Sequence, residues 1–176
     1  NEMKRVIAHW SKVVGLAALI VSVAAALVFA ANPHYKRGGQ PECTTTVVGA
    51  TITANCTEGL ATGLGNDDIR ILVTLTGEAG TFCENPGNGT RSPGQNPATG
   101  TSATPVDIPG SAVKNGNAVI PAITASLTIT TPTADAAGCP NDSWTVTLGP
   151  VTFTGFYSFQ QPPGTQIDSL SFPFYS

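Results

Sequence analysis

The sequence predicts an all-β domain, an immunoglobulin-like two-sheet sandwich of about seven strands, preceded by a hydrophobic N-terminal helix. Three observations carry this expectation. Threonine occurs 24 times in 176 residues, and apolar and polar positions alternate with period two where a helix would repeat every three to four. Clusters of Gly, Pro, Asn and Asp punctuate the chain at short intervals, as turns between short strands do. All four cysteines follow the hydrophobic segment, an even set that suits two disulfides.

The N-terminal segment comes first. Lys4, Arg5 and Lys12 precede residues 13–31 (VVGLAALIVSVAAALVFAA), nineteen positions with no charge. That run is long for a signal-peptide core and just long enough to span a bilayer, so length does not separate a signal peptide from a membrane anchor. Val28 and Ala30 are small residues at the spacing of a signal-peptidase site, and Asn32-Pro33 then breaks the helix, which favours cleavage after Ala30 or Ala31. Met3 followed by Lys4 and Arg5 reads as a secretory start, with Asn1 and Glu2 upstream of it. The flanking basic residues keep that end in the cytoplasm, so the remainder is expected to be extracellular or on the cell surface. The organisation is therefore read as 1–31 signal peptide or anchor helix, 32–42 linker and 43–176 β domain, with membrane contact only through residues 13–31 if they are retained.

The segment CTTTVVGATITANC is the most informative. A two-residue type II′ turn at Gly49-Ala50 sets Val48 opposite Thr51, Val47 opposite Ile52, and Cys43 opposite Cys56. In that register 47/52, 45/54 and 43/56 are the non-hydrogen-bonded pairs, where the backbones approach most closely and a disulfide closes readily. Cys43, Val47, Ile52, Ala54 and Cys56 then share one face, with Thr44, Thr46, Thr51, Thr53 and Asn55 on the other. With Cys43 and Cys56 joined, Cys83 and Cys139 form the second disulfide.

Ile69, Ile71, Val73 and Leu75 mark a core strand that continues past Gly77 and Gly80 to Cys83. The following 22 residues, ENPGNGTRSPGQNPATGTSATP, read as a long surface loop. Val119, Ile123, Leu127 and Ile129 alternate with Thr124, Ser126 and Thr128, and Pro121 suggests an edge or strand-start position. Trp144, Val146 and Leu148 alternate up to a break at Gly149-Pro150, Gly155 suggests a bulge, and Leu170, Phe172 and Phe174 close the chain. Seven of the ten Phe and Tyr residues lie after position 143, so the heaviest side of the core is expected there.

Composition narrows the function classes. Beyond residue 31 five basic residues (Lys36, Arg37, Arg70, Arg91, Lys114) face ten acidic ones, 5 − 10 = −5, which argues against a nucleic-acid partner. His34 is the only histidine there, so Ser/His/Asp and Cys/His nucleophilic sites lack a base. Glu58, Glu84, Asp107 and Asp168 could serve a carboxylate-based hydrolase only if two of them met in a cleft. Asn66, Asp67 and Asp68 in GLGNDD offer oxygen ligands of the kind calcium takes, although Asn and Asp serve equally as turn formers. No other metal site and no cofactor is expected. Sequons begin at Asn55, Asn88 and Asn141.

The exported start ending FAANPHY, then PECT, GLGNDD, CENPGNG with PGQNP, and NDSWTVTLGPVTF resemble a group of small secreted bacterial proteins of uncharacterised function. The resemblance implies a signal peptide and a bacterial source, and supplies no catalytic residues. The expected function is a secreted or surface β-sandwich with a structural or binding role, not an enzyme, its partner unspecified and self-association open. A pilin-like filament subunit retaining its hydrophobic helix is the second reading, from which the charged start NEMKRVIAHWSK departs. A carboxylate-based hydrolase is the third.

Overall fold

A computed structural model describes residues 32–175. The hydrophobic helix expected over 1–31 lies outside the described residues. Strands dominate, with two short 3₁₀ turns, Gly110–Ala112 and Asp168–Leu170. In chain order the strands are β1 (His34–Tyr35), β2 (Cys43–Val48), β3 (Thr51–Cys56), β4 (Gly59–Thr62), β5 (Ile69–Glu84), β6 (Arg91–Pro93), β7 (Ala98–Ile108), β8 (Asn117–Ile120), β9 (Ile123–Thr128), β10 (Thr145–Gln160) and β11 (Phe172–Phe174). They form several sheets and not a barrel.

The largest sheet is built on β5. Its inward positions Ile69, Ile71, Val73, Leu75, Gly77, Ala79, Thr81 and Cys83 are buried without interruption, so the period-two pattern holds over all 16 residues. β10 pairs antiparallel along the whole of β5 on one side, and β7 then β6 share the other. The Gly149-Pro150 break is a bulge inside β10: the register with β5 shifts between Leu148 and Val151 and pairing resumes. Gly155 is not a bulge. It pairs with Leu75, and a Cβ there would enter the ring of Phe174, so the glycine makes room for the C-terminal strand.

Two smaller sheets, β2-β3-β9 and β1-β4-β8, succeed one another along the same chain segments. β3 gives way to β4 across Thr57-Glu58, and β8 to β9 across Pro121-Ala122. Both neighbouring segments change parity at this level: Cys56 and Gly59 are both buried, as are Ile120 and Ile123. Val119, expected inside with Ile123, is therefore 64% exposed, and Ala118 and Ile120 take the core side. A strand read with unbroken alternation misses such a step.

The proposed long loop is in large part strand. β7 pairs with β5 from Ile69↔Ile108 to Ala79↔Ala98. Its inward residues are mostly small, Ala98, Gly100, Ser102 and Thr104, because bulk arrives from the facing sheet. A Cβ on Gly77 or on its partner Gly100 would stand 3.0–3.3 Å from methyl carbons of Ile129 and Leu127, and at Gly77 from Ile52 as well. Pro105 is tolerated because β7 is an edge of its sheet.

Residues 32–42 are likewise no linker; they belong to the compact unit Asn32–Ser176. β1 pairs with β4, Pro41 is fully buried, Lys36 donates its backbone N–H to Leu60, and the Tyr35 hydroxyl donates to the Leu170 carbonyl at 2.7 Å. The aromatic side of the core lies here as expected. Tyr157 and Phe159 are fully buried, and Tyr157 stacks on Phe172 with ring centres 4.9 Å apart. Burial pushes both Tyr35 and Tyr157 hydroxyls above the usual tyrosine range. The Tyr157 hydroxyl is buried beside that of Tyr35, and its oxygen has no hydrogen-bond partner.

Two substitution series follow from this packing. Gly100→Val is expected to destabilise by about 1–3 kcal/mol through overpacking against Ile129 and Leu127, measured by denaturant unfolding. Tyr157→Phe is expected to be neutral or stabilising, because it removes a buried oxygen that has no partner, whereas Tyr35→Phe loses the Leu170 bond and costs about 1 kcal/mol.

Candidate functional site

The most regular surface among the described residues is the outer face of β2-β3-β9. The β2–β3 turn forms as expected, with Gly49 at φ +60° and Ala50 outside the left-handed region, the pattern of a type II′ turn. The hairpin register follows, Cys43↔Cys56 through Val48↔Thr51. β9 then pairs with β3 from Thr51↔Thr128 to Cys56↔Ile123. Side by side across three strands, the outward residues are Val48, Thr51 and Thr128; Thr46, Thr53 and Ser126; and Thr44, Asn55 and Thr124. None is charged.

The underside of this patch is core. Ile52, Ala54 and Cys56 on β3 and Ile123, Ala125 and Leu127 on β9 are buried, and the disulfide Cys43–Cys56 closes the open end of the hairpin, with Cα atoms 4.0 Å apart. Val47, expected on the buried face, is 43% exposed because β2 lies at the sheet edge. Hydroxyls on the outer face are partly tied to one another. Thr51 and Thr128 Oγ1 atoms lie 2.9 Å apart, Thr124 Oγ1 donates to Asn55 Oδ1 at 2.9 Å, and Thr44 Oγ1 to the Asn55 carbonyl at 3.4 Å. Strand spacing sets columns about 4.8 Å apart and rows about 6.7 Å apart. Such a lattice offers methyls and hydroxyls to an uncharged polar partner, and no strong field to an ionic one.

The second disulfide, Cys83–Cys139, has Cα atoms 5.7 Å apart and ties the end of β5 to the turn before β10. Nearby, the Arg91 guanidinium lies 4.0 Å over the ring of Phe82. Sequence reasoning found both cysteine pairs and the Thr faces of the separate strands. It did not join β9 to β3; the signal was the equal length and matched alternation of TITANC and ITASLT.

The acidic candidates take up ordinary structural work. Asn66, Asp67 and Asp68 are exposed in the turn before β5. Asp68 Oδ1 accepts the Gly110 N–H at 2.7 Å, and the Gln161 side chain grips Gly65 and the Asp67 carbonyl. Asp68 and Asp107 line one cleft with Arg70, and there Arg70 donates to both Asp107 oxygens at 2.7 and 3.2 Å. The hydrogen bond from Arg70 holds the Asp107 carboxyl below the usual carboxylate range, the opposite of what a general acid needs. Glu58 lies between β3 and β4 in a cleft with Lys36 and Arg37, Glu84 ends β5, and Asp168 accepts from Gln166 on the last 3₁₀ turn. His34 Nδ1 bonds the Asn32 carbonyl at 2.7 Å. Asn88 and Asn141 are exposed outside the strands, and each accepts a backbone N–H two residues on.

No known protein family matches the chain, and no curated protein matches it.

The two disulfides close loops of different length, with sequence separations of 13 and 56 residues. Replacing Cys83 and Cys139 by Ala is therefore expected to cost about 1 kcal/mol more than replacing Cys43 and Cys56, in paired denaturation curves. An equal or reversed order would show that the shorter staple constrains more than its loop.

Proposed function

We propose that this chain is a secreted or cell-surface β domain, an immunoglobulin-like sandwich in its finer classification, with a structural or binding role and no catalysis. The observation that carries the reading is the lattice on β2-β3-β9: an exposed, uncharged array of six threonines with Ser126, Asn55 and Val48, stiffened by a disulfide and backed by core. An extended rigid face of this kind recognises by contact and hydrogen bonding, and it does not move protons or electrons.

Two further observations support an extracellular setting. Both cysteine pairs are joined, which suits an oxidising compartment. The hydrophobic run over residues 13–31 with basic residues before it supplies an export route. The resemblance to small secreted bacterial proteins is part of the same proposal.

Intact-mass measurement and thiol titration of the protein recovered from its native host test this reading. The expected result is a species in the medium or on the cell surface that begins near Asn32 and has no free thiol. Retention of the whole N-terminal segment would instead favour an anchored or filament subunit. A cytoplasmic protein with four titratable thiols would overturn export altogether.

A further inference from the structure

Among the described residues, β2 ends its sheet, and nothing guards that edge. Its residues Cys43 to Val48 (CTTTVV) include no charge, no proline and no bulge, the devices that normally keep edge strands from pairing. Most other edges among the described residues have such devices, and β8, the far edge of β1-β4-β8, is only four residues long and is stopped by Pro121. β7 contains Pro105 and the ion-paired Asp107; β6 is three residues with Arg91 and Pro93; β11 is three residues with Pro173; β1 is two residues followed by Lys36 and Arg37. On the far side of the lattice, the Ser126 carbonyl of β9 already accepts the Ser102 hydroxyl of β7 at 2.8 Å.

The hairpin register says which groups β2 leaves free. Residues flanking a two-residue turn bond across the hairpin, so Val48, Thr46 and Thr44 direct their backbone groups to β3. Cys43, Thr45 and Val47 direct one N–H and one C=O each away from it. These free groups sit on a strand that the Cys43–Cys56 disulfide holds in place, next to side chains of Val47 and Val48 that are 43% and 73% exposed.

We infer that β2 is the docking edge for a second copy of this chain, paired antiparallel about a two-fold axis through Thr45. In that register Cys43 lies opposite Val47 of the other copy, and Thr45 opposite Thr45, so every free group of Cys43, Thr45 and Val47 finds a partner. The strand is self-complementary for a physical reason. It has no charge to repel its own copy, and on the outer face Thr44 of one copy falls beside Thr46 of the other, a favourable cross-strand pair. The lattice of one copy then runs on into the lattice of the next across a single six-stranded sheet. This goes beyond the proposed role, because the pairing holds whatever the lattice contacts.

A pairing confined to one short strand buries little area, so the dimer is of the transient, concentration-dependent class. Sedimentation equilibrium of the protein as recovered from its host is expected to show the mass doubling as concentration rises. Over the same range, amide exchange should slow at Cys43, Thr45 and Val47, while Thr44, Thr46 and Val48 stay protected throughout. Thr45→Pro removes the N–H on the axis without touching a hairpin bond and should leave a monomer; Val47→Lys, a charge on the edge, should do the same if the proline variant fails to fold. A wild-type monomer at every concentration would overturn the inference. So would a dimer that survives both substitutions, since it would place association elsewhere, as in residues 1–31. Neither result bears on whether the protein is exported, which its mass and thiol content decide.

Discussion

The fold depends on one close approach between sheets. Gly77 on β5 and Gly100 on β7 sit directly opposite each other and leave a shallow floor in the largest sheet. Ile52 of β3, with Leu127 and Ile129 of the β9 segment, fills the space a pair of side chains would have occupied. Branched side chains inserted into a backbone floor give dense packing with little void, which is where much of the stability of a small core arises. The same contact fixes the orientation of the facing sheet. With Ile52 and Leu127 committed inward, alternation sends Thr51, Thr53, Ser126 and Thr128 outward, so the hydroxyl lattice is a consequence of how the core is filled.

The disulfides act around this contact. Cys43–Cys56 closes the hairpin that lies over the floor, and Cys83–Cys139 holds the far end of β5 against the turn region before β10. Between them they restrain the edge strand β2 and the root of the Gly- and Pro-rich stretch after β5. A chain that is only 11% charged relies less on ion pairs than on such covalent and packing constraints. Its one close ion pair among the described residues, Arg70 with Asp107, is surface-exposed and contributes little.

What was legible in the sequence was local. The hairpin register and its disulfide followed from a Gly-containing two-residue turn with cysteines equidistant from it, and the second cysteine pair from elimination. The β5 faces followed from Ile69, Ile71, Val73 and Leu75. Long-range compensation was not legible. β7 looked like loop because its inward residues are small, and only the position of Ile129 and Leu127 explains why they must be. Val119 was placed on the wrong face because Pro121-Ala122 shifts parity in step with Thr57-Glu58 on the neighbouring chain segment. Residues 32–42 looked like a linker because the bonds of Tyr35 and Pro33 go to Leu170 and Ser169, at the other end of the sequence. The candidate surface was half visible: the Thr faces of individual strands were evident, their assembly into one patch was not.

The close approach at Gly77 and Gly100 can be observed directly by nuclear Overhauser effects in solution. Strong cross-peaks are expected from the Ile129 Cδ1 methyl to the Hα protons of both glycines, together with strand-like protection of the β7 amides that face β5. If that methyl shows no cross-peak to either glycine, and residues 98–108 exchange as an open loop, then the two sheets are not joined in this way and the outward lattice loses its basis.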